Sequence, residues 1–466
     1  MKDQSKTAAK LSFGTKLGYG GAEGGCSGSW NLIYMFLLYF LTDVVGINPA
    51  LAGSVLMIAT LWDAFTDPAI GIISDNLKSK WGRRRPFFLI AALPFGITTW
   101  LMFTDFNLGF GYYAVMAILF FTFFTMVNVP YSAMGAEMSQ DYNERMSLVT
   151  FRSWWMQVST LFASALPFYL AGIFGAKFGS MKTGWSSMAA IFGIIATLCI
   201  LLTWRTTRGH ELFPETTGFK FKDIVDVVRH NRTFRFTLGI WTFSIIALNF
   251  VISTAIYYFT HVMVFGESMT GMVFGILILA SLIYLPVIDY VARKMGKRTA
   301  FIIFASIWGV GSILTGILVV GPEDAMVFWV NIFTSGAISA CMVYMLGWAM
   351  IPDVTEVDEL ISGQRREGLY FGVMAFIQKI ASAVTLQVIG LIMAWIGYQP
   401  DVTQTSETLL GIRSLMFGAP VVFLILGIIV AYYMPMTRKK HQILCDCLKL
   451  KKENKEYDVT PIKDLF

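Results

Sequence analysis

About twelve blocks of mostly apolar residues run through the chain, each close to the roughly 20 residues that a helix needs to cross a bilayer. They read as 17–42, 48–75, 86–104, 110–138, 150–175, 184–204, 236–262, 269–290, 299–320, 325–350, 369–396 and 409–435. Stretches such as LYFLTDVV and IFGIIATLCILL do not alternate, so a β-barrel built on alternating strands of about ten residues is excluded. Charged residues make up 14% of the chain, against about 25% in a soluble domain. The expected class is an all-α polytopic membrane protein. The N-terminus MKDQSKTAAK is polar and leads into no short apolar stretch with a small-residue cleavage site, so the first helix is expected to act as an uncleaved insertion signal.

The net charge of +6 invites a nucleic-acid reading, but its distribution opposes one. With both termini placed in the cytoplasm, 31 of the 36 Lys and Arg fall on the inner side, and only Lys177, Lys182 and Arg413 fall outside. Arg152 and Lys379 lie at or within the membrane. This is the positive-inside pattern. The basic charge sets topology, the lipid bilayer is the partner, and no nucleic-acid partner is implied. An inner (plasma) membrane protein with both termini cytoplasmic is expected.

A polar stretch, 205–235, with 7 basic and 4 acidic residues, separates the sixth block from the seventh. It divides the chain into a six-helix half with its N-terminal tail (1–204), a cytoplasmic connector (205–235), a second six-helix half (236–435) and a cytoplasmic tail (436–466). The halves share a pattern. Asp75 ends the second block and Gly82-Arg83-Arg84 follows, then Arg85; Asp289 ends the eighth and Gly296-Lys297-Arg298 follows at the same spacing, 214 residues later. Parallel halves of this kind resemble the major facilitator architecture, which holds substrate at the midplane between them. A carboxylate facing arginines across a short turn can act as a cytoplasmic gate through charge-assisted hydrogen bonds. The same arginines also serve simply as inside charges.

Ionised groups within a span cost on the order of 2.5–3.5 kcal/mol on insertion scales and mark function by default. Asp63 and Asp67 are four apart in the segment IATLWDAFTDPAIGIISD, so their carboxylates share one helical face. Two buried like charges cannot both stay ionised and empty; a bound Na+ or a shared proton removes the conflict, as does a purely structural hydrogen-bonded pair. Pro68 frees a backbone carbonyl in the same turn. Glu23 lies in the run GYGGAEGGCSGSW, where Gly20, Gly24 and Gly28 form a close-packing helix face; it can carry a proton, bind polar substrate or sit near a membrane end. Arg152, placed at the start of the fifth span, faces a carboxylate or a wet cavity, or snorkels to the interface. Lys379, deep in the eleventh, is the harder to explain that way. Thr125, Asn128 and Pro130 interrupt the fourth span, as backbone lining a cavity does.

Cys26, Cys199 and Cys341 read as small hydrophobes within spans. Cys445 and Cys447 in the tail read as free thiols or lipid acceptors, with no second CxxC or His pair to make a metal site. His210, His230, His261 and His441 lie in loops or near span ends. No nucleophile set or metal cluster points to an enzyme, and no cofactor is implied beyond a coupling cation.

The segments WDAFTDPAIGIISD with WGRRRP, NVPYSAMGAEM, NERMSLVTFR and IPDVTEVDELISGQRREGLYFGVMAFIQK resemble the glycoside–pentoside–hexuronide:cation symporters, the family of the melibiose permeases within the major facilitator superfamily. The likeness runs from about 11 to about 435. It implies that Asp63 and Asp67 bind the coupling cation and that Thr125 completes the site, with Thr66 standing where the melibiose branch has asparagine. It implies that Arg152, Lys379 and Tyr344 line the sugar cavity, with Glu23 where many members have aspartate. The branch's two sugar-gripping aspartates are replaced by Ser27 and Asn128, and a tryptophan one turn further by Ser132, so galactoside specificity does not transfer.

The expected function is symport of a glycoside, pentoside or sugar acid with Na+ or H+ by alternating access, with a monomer sufficient. Rivals are a lysophospholipid-type cation symporter, which would need an apolar lateral groove, and a non-transporting sensor on the same scaffold, against which the intact acidic pair speaks. Loss of two carboxylates with retention of Arg152 and Lys379 leaves a positive excess, from which an anionic substrate such as a hexuronide or a sulfonated sugar is expected, unless Glu23 pairs with one of these cations or Asp63 and Asp67 balance them, which leaves a neutral site for a neutral pentoside.

Overall fold

Side-chain caps and prolines start many of the helices. Ser12 accepts from the amide of Thr15 at 3.1 Å to open α1 (Phe13–Tyr39), and Asn48 accepts from Ala50 at 2.9 Å ahead of Pro49 to open α2 (Pro49–Asn76). Such caps satisfy amides that the first turn leaves without a partner. The computed structural model describes residues 11–77, 79–139, 142–209, 227–363, 366–400, 402–453 and 455–466. Among them every regular element is helical.

Next come α3 (Arg85–Leu101), α4 (Phe110–Glu137), α5 (Tyr142–Ala165), α6 (Pro167–Phe178) and α7 (Met181–Thr206), then α8 (Arg232–Tyr257), α9 (Glu267–Met295) and α10 (Lys297–Leu318). The series ends with α11 (Ala325–Asn331), α12 (Ala337–Ser362), α13 (Glu367–Trp395), α14 (Ser406–Arg413), α15 (Ala419–Tyr433) and α16 (Arg438–Lys452). Single π-helical turns extend α1 (Phe40–Val44) and α8 (Tyr258–Val262), and join α11 to α12 (Ile332–Gly336) and α14 to α15 (Ser414–Gly418).

Among the described residues, nine helical stretches, with helices joined through a π turn taken as one, are long and apolar enough to cross a membrane, and α5 with α6 makes a tenth span bent by 45°. The bend falls at Leu166, before Pro167, whose ring cannot continue the ladder. Helix α3 is a shorter apolar helix, and α1, which covers the first apolar block expected from sequence, is rich in glycine. Outward-facing Ile194, Leu198, Ile283, Ile317 and Val422 are all exposed, as a surface solvated by lipid requires.

The chain forms two compact units, one of Met1–Gly218 with Gly266–Gly275 and Gly390–Val402, the other of Phe219–Phe265, Ile276–Ile389 and Thr403–Phe466. The division at Gly218 falls within the polar stretch 205–235, of which 210–226 lies outside the described residues. In the first unit α1 packs between α5 and α7, and α4 lies against α2 and α3. The glycines of α1 serve both neighbours: a Cβ on Gly24 would lie 2.5 Å from the Trp155 ring, and one on Gly21 2.9 Å from the Cys199 carbonyl oxygen. In the second unit α15 packs on α8 and α10, and α12 on α8.

Helix α16 was not foreseen. Capped by Thr437, it buries Leu444, Cys447 and Leu448 in the core of the second unit together with Ile462 and Leu465, so the residues after the last span are docked rather than a free tail.

Candidate functional site

Helix α2 presents Asp63 and Asp67 on one face, and α4 supplies Thr125 opposite them. The Thr125 hydroxyl lies 2.7 Å from Oδ1 of Asp63 and 3.1 Å from Oδ1 of Asp67. Thr66 sits beside it, its Oγ1 3.4 Å from that of Thr125 and 3.2 Å from the Asp63 carbonyl. Asp63 and Thr125 are buried, and Asp67 and Thr66 half-buried. A hydroxyl carries one proton, so Thr125 can donate to only one of the two carboxylates at a time. Neighbouring carboxylates that share a donor are a place where a cation, or a proton on one of them, relieves repulsion. The four residues named from sequence are thus brought together.

Glu23 lies within α1, 6% exposed. Its Oε2 accepts from Nε of Arg152 at 2.6 Å and its Oε1 from the hydroxyl of Ser27 at 2.7 Å. The Arg152 guanidinium stands over the Tyr131 ring at 5.2 Å, and Tyr131 stacks on Tyr19 with centroids 4.8 Å apart. The helix that carries Arg152 starts earlier than the apolar block does, at Tyr142, with NERMSLV already helical. The pair with Glu23 meets the arginine's charge from within the protein, so the positive excess expected from sequence loses one of its two cations. Asn128, half-buried, and Ser132, exposed, follow one turn apart on α4.

Tyr344 and Lys379 belong to the second unit. Tyr344 meets Trp241 edge-on at 5.9 Å, and Trp241 leads through Trp348 (4.9 Å) to Phe371 (5.5 Å from Trp348). Lys379 is half-buried on α13. Sequence reasoning named only Tyr344 of this aromatic row; Trp348 lies four residues on along the same helix, which was the available signal.

The loop residues divide into those that meet the expectation and those that do not. Arg84 reaches Oδ1 of Asp75 at 2.5 Å and Oε1 of Glu137 at 3.0 Å, and Arg83 also bonds Glu137. Arg85 instead donates to the Trp204 carbonyl at 2.7 Å and lies over that indole, so it ties α3 to α7. In the second unit the pattern changes. Asp289 pairs with Arg293 on its own helix at 2.8 Å, both exposed, because i,i+4 neighbours meet more readily than residues across a turn. Lys297 binds Asp353 at 2.6 Å and the Ala349 carbonyl at 2.7 Å, and Arg298 binds the Met434 carbonyl at 2.8 Å. Glu137 and Asp353, the acidic partners at the ends of α4 and in α12, were missed: each lies more than 50 residues from its cation.

A family model described as MFS/sugar transport protein matches residues 18–438. An uncharacterized symporter of Synechocystis sp. is 28% identical, covering 97% of this chain and 99% of the relative. An isoprimeverose transporter of Lactiplantibacillus pentosus is 24% identical over 92% of this chain and 90% of its own. Among solved structures, a bacterial homologue of the human lysosomal transporter Spinster superposes with a TM-score of 0.69 at 13% identity, covering 90% of this chain and 96% of that one. That likeness concerns the fold alone, and the fold is that of a major facilitator. The chain is a multi-pass membrane transporter, not an enzyme, and belongs to the MFS/sugar transport family of sugar:cation symporters.

Proposed function

We propose that the protein couples the entry of Na+ or H+ to the uptake of a glycoside or pentoside, with a sugar acid as the less favoured cargo, by alternating access in the inner (plasma) membrane. The observation that carries this reading is the single Thr125 hydroxyl shared by the Asp63 and Asp67 carboxylates. A Na+ would take oxygens of Asp63, Asp67 and Thr125, with Thr66 adjoining; a proton would sit on one carboxylate. Cation and sugar would then favour each other's binding by the same factor, as linkage requires. Arg152 held by Glu23 offers donors and an acceptor for sugar hydroxyls while its charge is balanced, which supports a neutral cargo over an anionic one. The Asp75, Arg83 and Arg84 set with Glu137 would close the cytoplasmic side, joined by Lys297 and Arg298 in the second half. Both termini would be cytoplasmic, and one chain would suffice. The relative named an isoprimeverose transporter supports a sugar cargo.

Proteoliposomes given an inward Na+ or proton gradient test this reading. Concentrative uptake of a neutral glycoside under one of the two gradients is expected. Accumulation of lysophospholipid in place of every sugar tried would overturn it.

A further inference from the structure

Helix α16 carries His441 and Cys445 one turn apart, and both face Glu356 of α12. The Nε2 of His441 is 2.9 Å from Oε2 of Glu356, the Sγ of Cys445 is 3.6 Å from the same oxygen, and sulfur and nitrogen are 3.8 Å apart. Asp353, one turn before Glu356, places Oδ1 3.4 Å from the same His441 nitrogen. Imidazole, thiolate and carboxylate are the donor types that bind zinc, and tetrahedral bonds of about 2.0–2.3 Å separate the ligand atoms by about 3.3–3.7 Å. The sulfur–oxygen separation matches that spacing, the sulfur–nitrogen one is wider than its own tetrahedral value by about 0.2–0.3 Å, and the 2.9 Å one needs an opening of about 0.5 Å. Among the described residues this is the group of His, Cys and acidic side chains close enough to hold one ion.

We infer that Glu356, His441 and Cys445 form a binding site for a borderline-soft divalent cation, Zn2+ foremost, that fastens α16 to the end of α12. A water supplies the fourth position. The scaffold is already assembled. Leu444 and Leu448, on the adjoining face of α16, anchor it in the core, and Lys451 donates to the Leu360 carbonyl at 2.7 Å, so two ligands on α16 and one on α12 are held in register before any ion arrives. Pre-ordered ligands are what a tight site requires. Without the ion, burial and the Glu356 carboxylate push the Cys445 thiol up to about 11, and a bound cation replaces that proton with a metal–thiolate bond. Asp353 also holds Lys297, which continues the cluster into the turn between α9 and α10.

The test uses the full-length transporter, purified with its affinity tag removed, stripped with a chelator and titrated with Zn2+ against a chromophoric competitor. One equivalent bound is expected, together with a sulfur-to-metal charge-transfer band on Cd2+ substitution. Cys445→Ser, nearly isosteric and so leaving α16 docked, is expected to abolish the band and weaken Zn2+ at least as much as the about 10–100-fold that losing a mere supporting group costs. Cys447→Ser, whose thiol donates to the Asp458 carbonyl, should change neither. A plain His441–Glu356 ion pair would predict no role for Cys445. Failure of the native protein to bind the equivalent, or an unchanged band and affinity in Cys445→Ser, would overturn the inference.

Discussion

The ammonium of Lys297 lies 2.6 Å from Oδ1 of Asp353, and it occupies the same place in its half that Arg83, bonded to Glu137, occupies in the other. Lys297 follows Arg83 by 214 residues and Asp353 follows Glu137 by 216. In both units, then, a basic residue from the turn after the second span grips an acid near the end of the fourth. The duplicated turn, and not Asp289, preserves this bond. Replacing Lys297 by Ala is expected to cost about 1–2 kcal/mol, since the pair is charge-assisted but partly exposed. Thermal unfolding of the purified protein measures it, and Asp353→Asn should give a similar loss that does not add to the first.

At the acidic pair, Asp63→Asn and Asp67→Asn are each expected to abolish cation-driven accumulation while the protein still reaches the membrane. Thr125→Ala removes only the shared hydroxyl, so coupling should weaken by about tenfold or somewhat more, the range of one hydrogen bond to a charged group. Uptake at graded Na+ or proton concentration reads both. Concentrative uptake at the native level by the double asparagine variant would exclude the pair from coupling.

Glu23→Gln frees Arg152 from its carboxylate. Preference in competition uptake is expected to move toward an anionic sugar relative to its neutral counterpart, by about tenfold. An unmoved ratio would mean that the Glu23–Arg152 bond has no bearing on cargo.

A cysteine engineered near Glu323, in the turn before α11, should react with impermeant reagent added from outside, and one near Lys220 should not. Lys220 lies outside the described residues, so this rests on the distribution of basic residues alone. The reverse labelling pattern would invert the orientation.

The order of the helices was legible in the sequence because local hydropathy decides most of the apolar segments. The break at Leu166 and the early start of α5 were not: NERMSLVTFRSWW reads as polar loop and then span, although a helix can run through both. Asp63 and Asp67 were legible because acids four residues apart share one helix face, and the family likeness supplied Thr66 and Thr125. Partners across the fold were harder. Glu137, Asp353 and Glu356 sit among ordinary polar residues at span ends, and only packing of α4 on the first loop, or of α16 on α12, brings a cation or a thiol to them. His441 and Cys445 have helical spacing in the sequence, but their third ligand is more than 80 residues away.

The π turns at Phe40–Val44 and Tyr258–Val262 have the same backbone wiring. Val45 and Ile47 donate to Phe40 and Leu41 as Met263 and Phe265 donate to Tyr258 and Phe259, although FLTDV and YFTHV share only threonine and valine in register. Such a turn adds one residue to regular winding, and so rotates every side chain beyond it by about 100°. The first helix of each half therefore closes on the same main-chain irregularity, a likeness that the side chains of the two segments do not reveal.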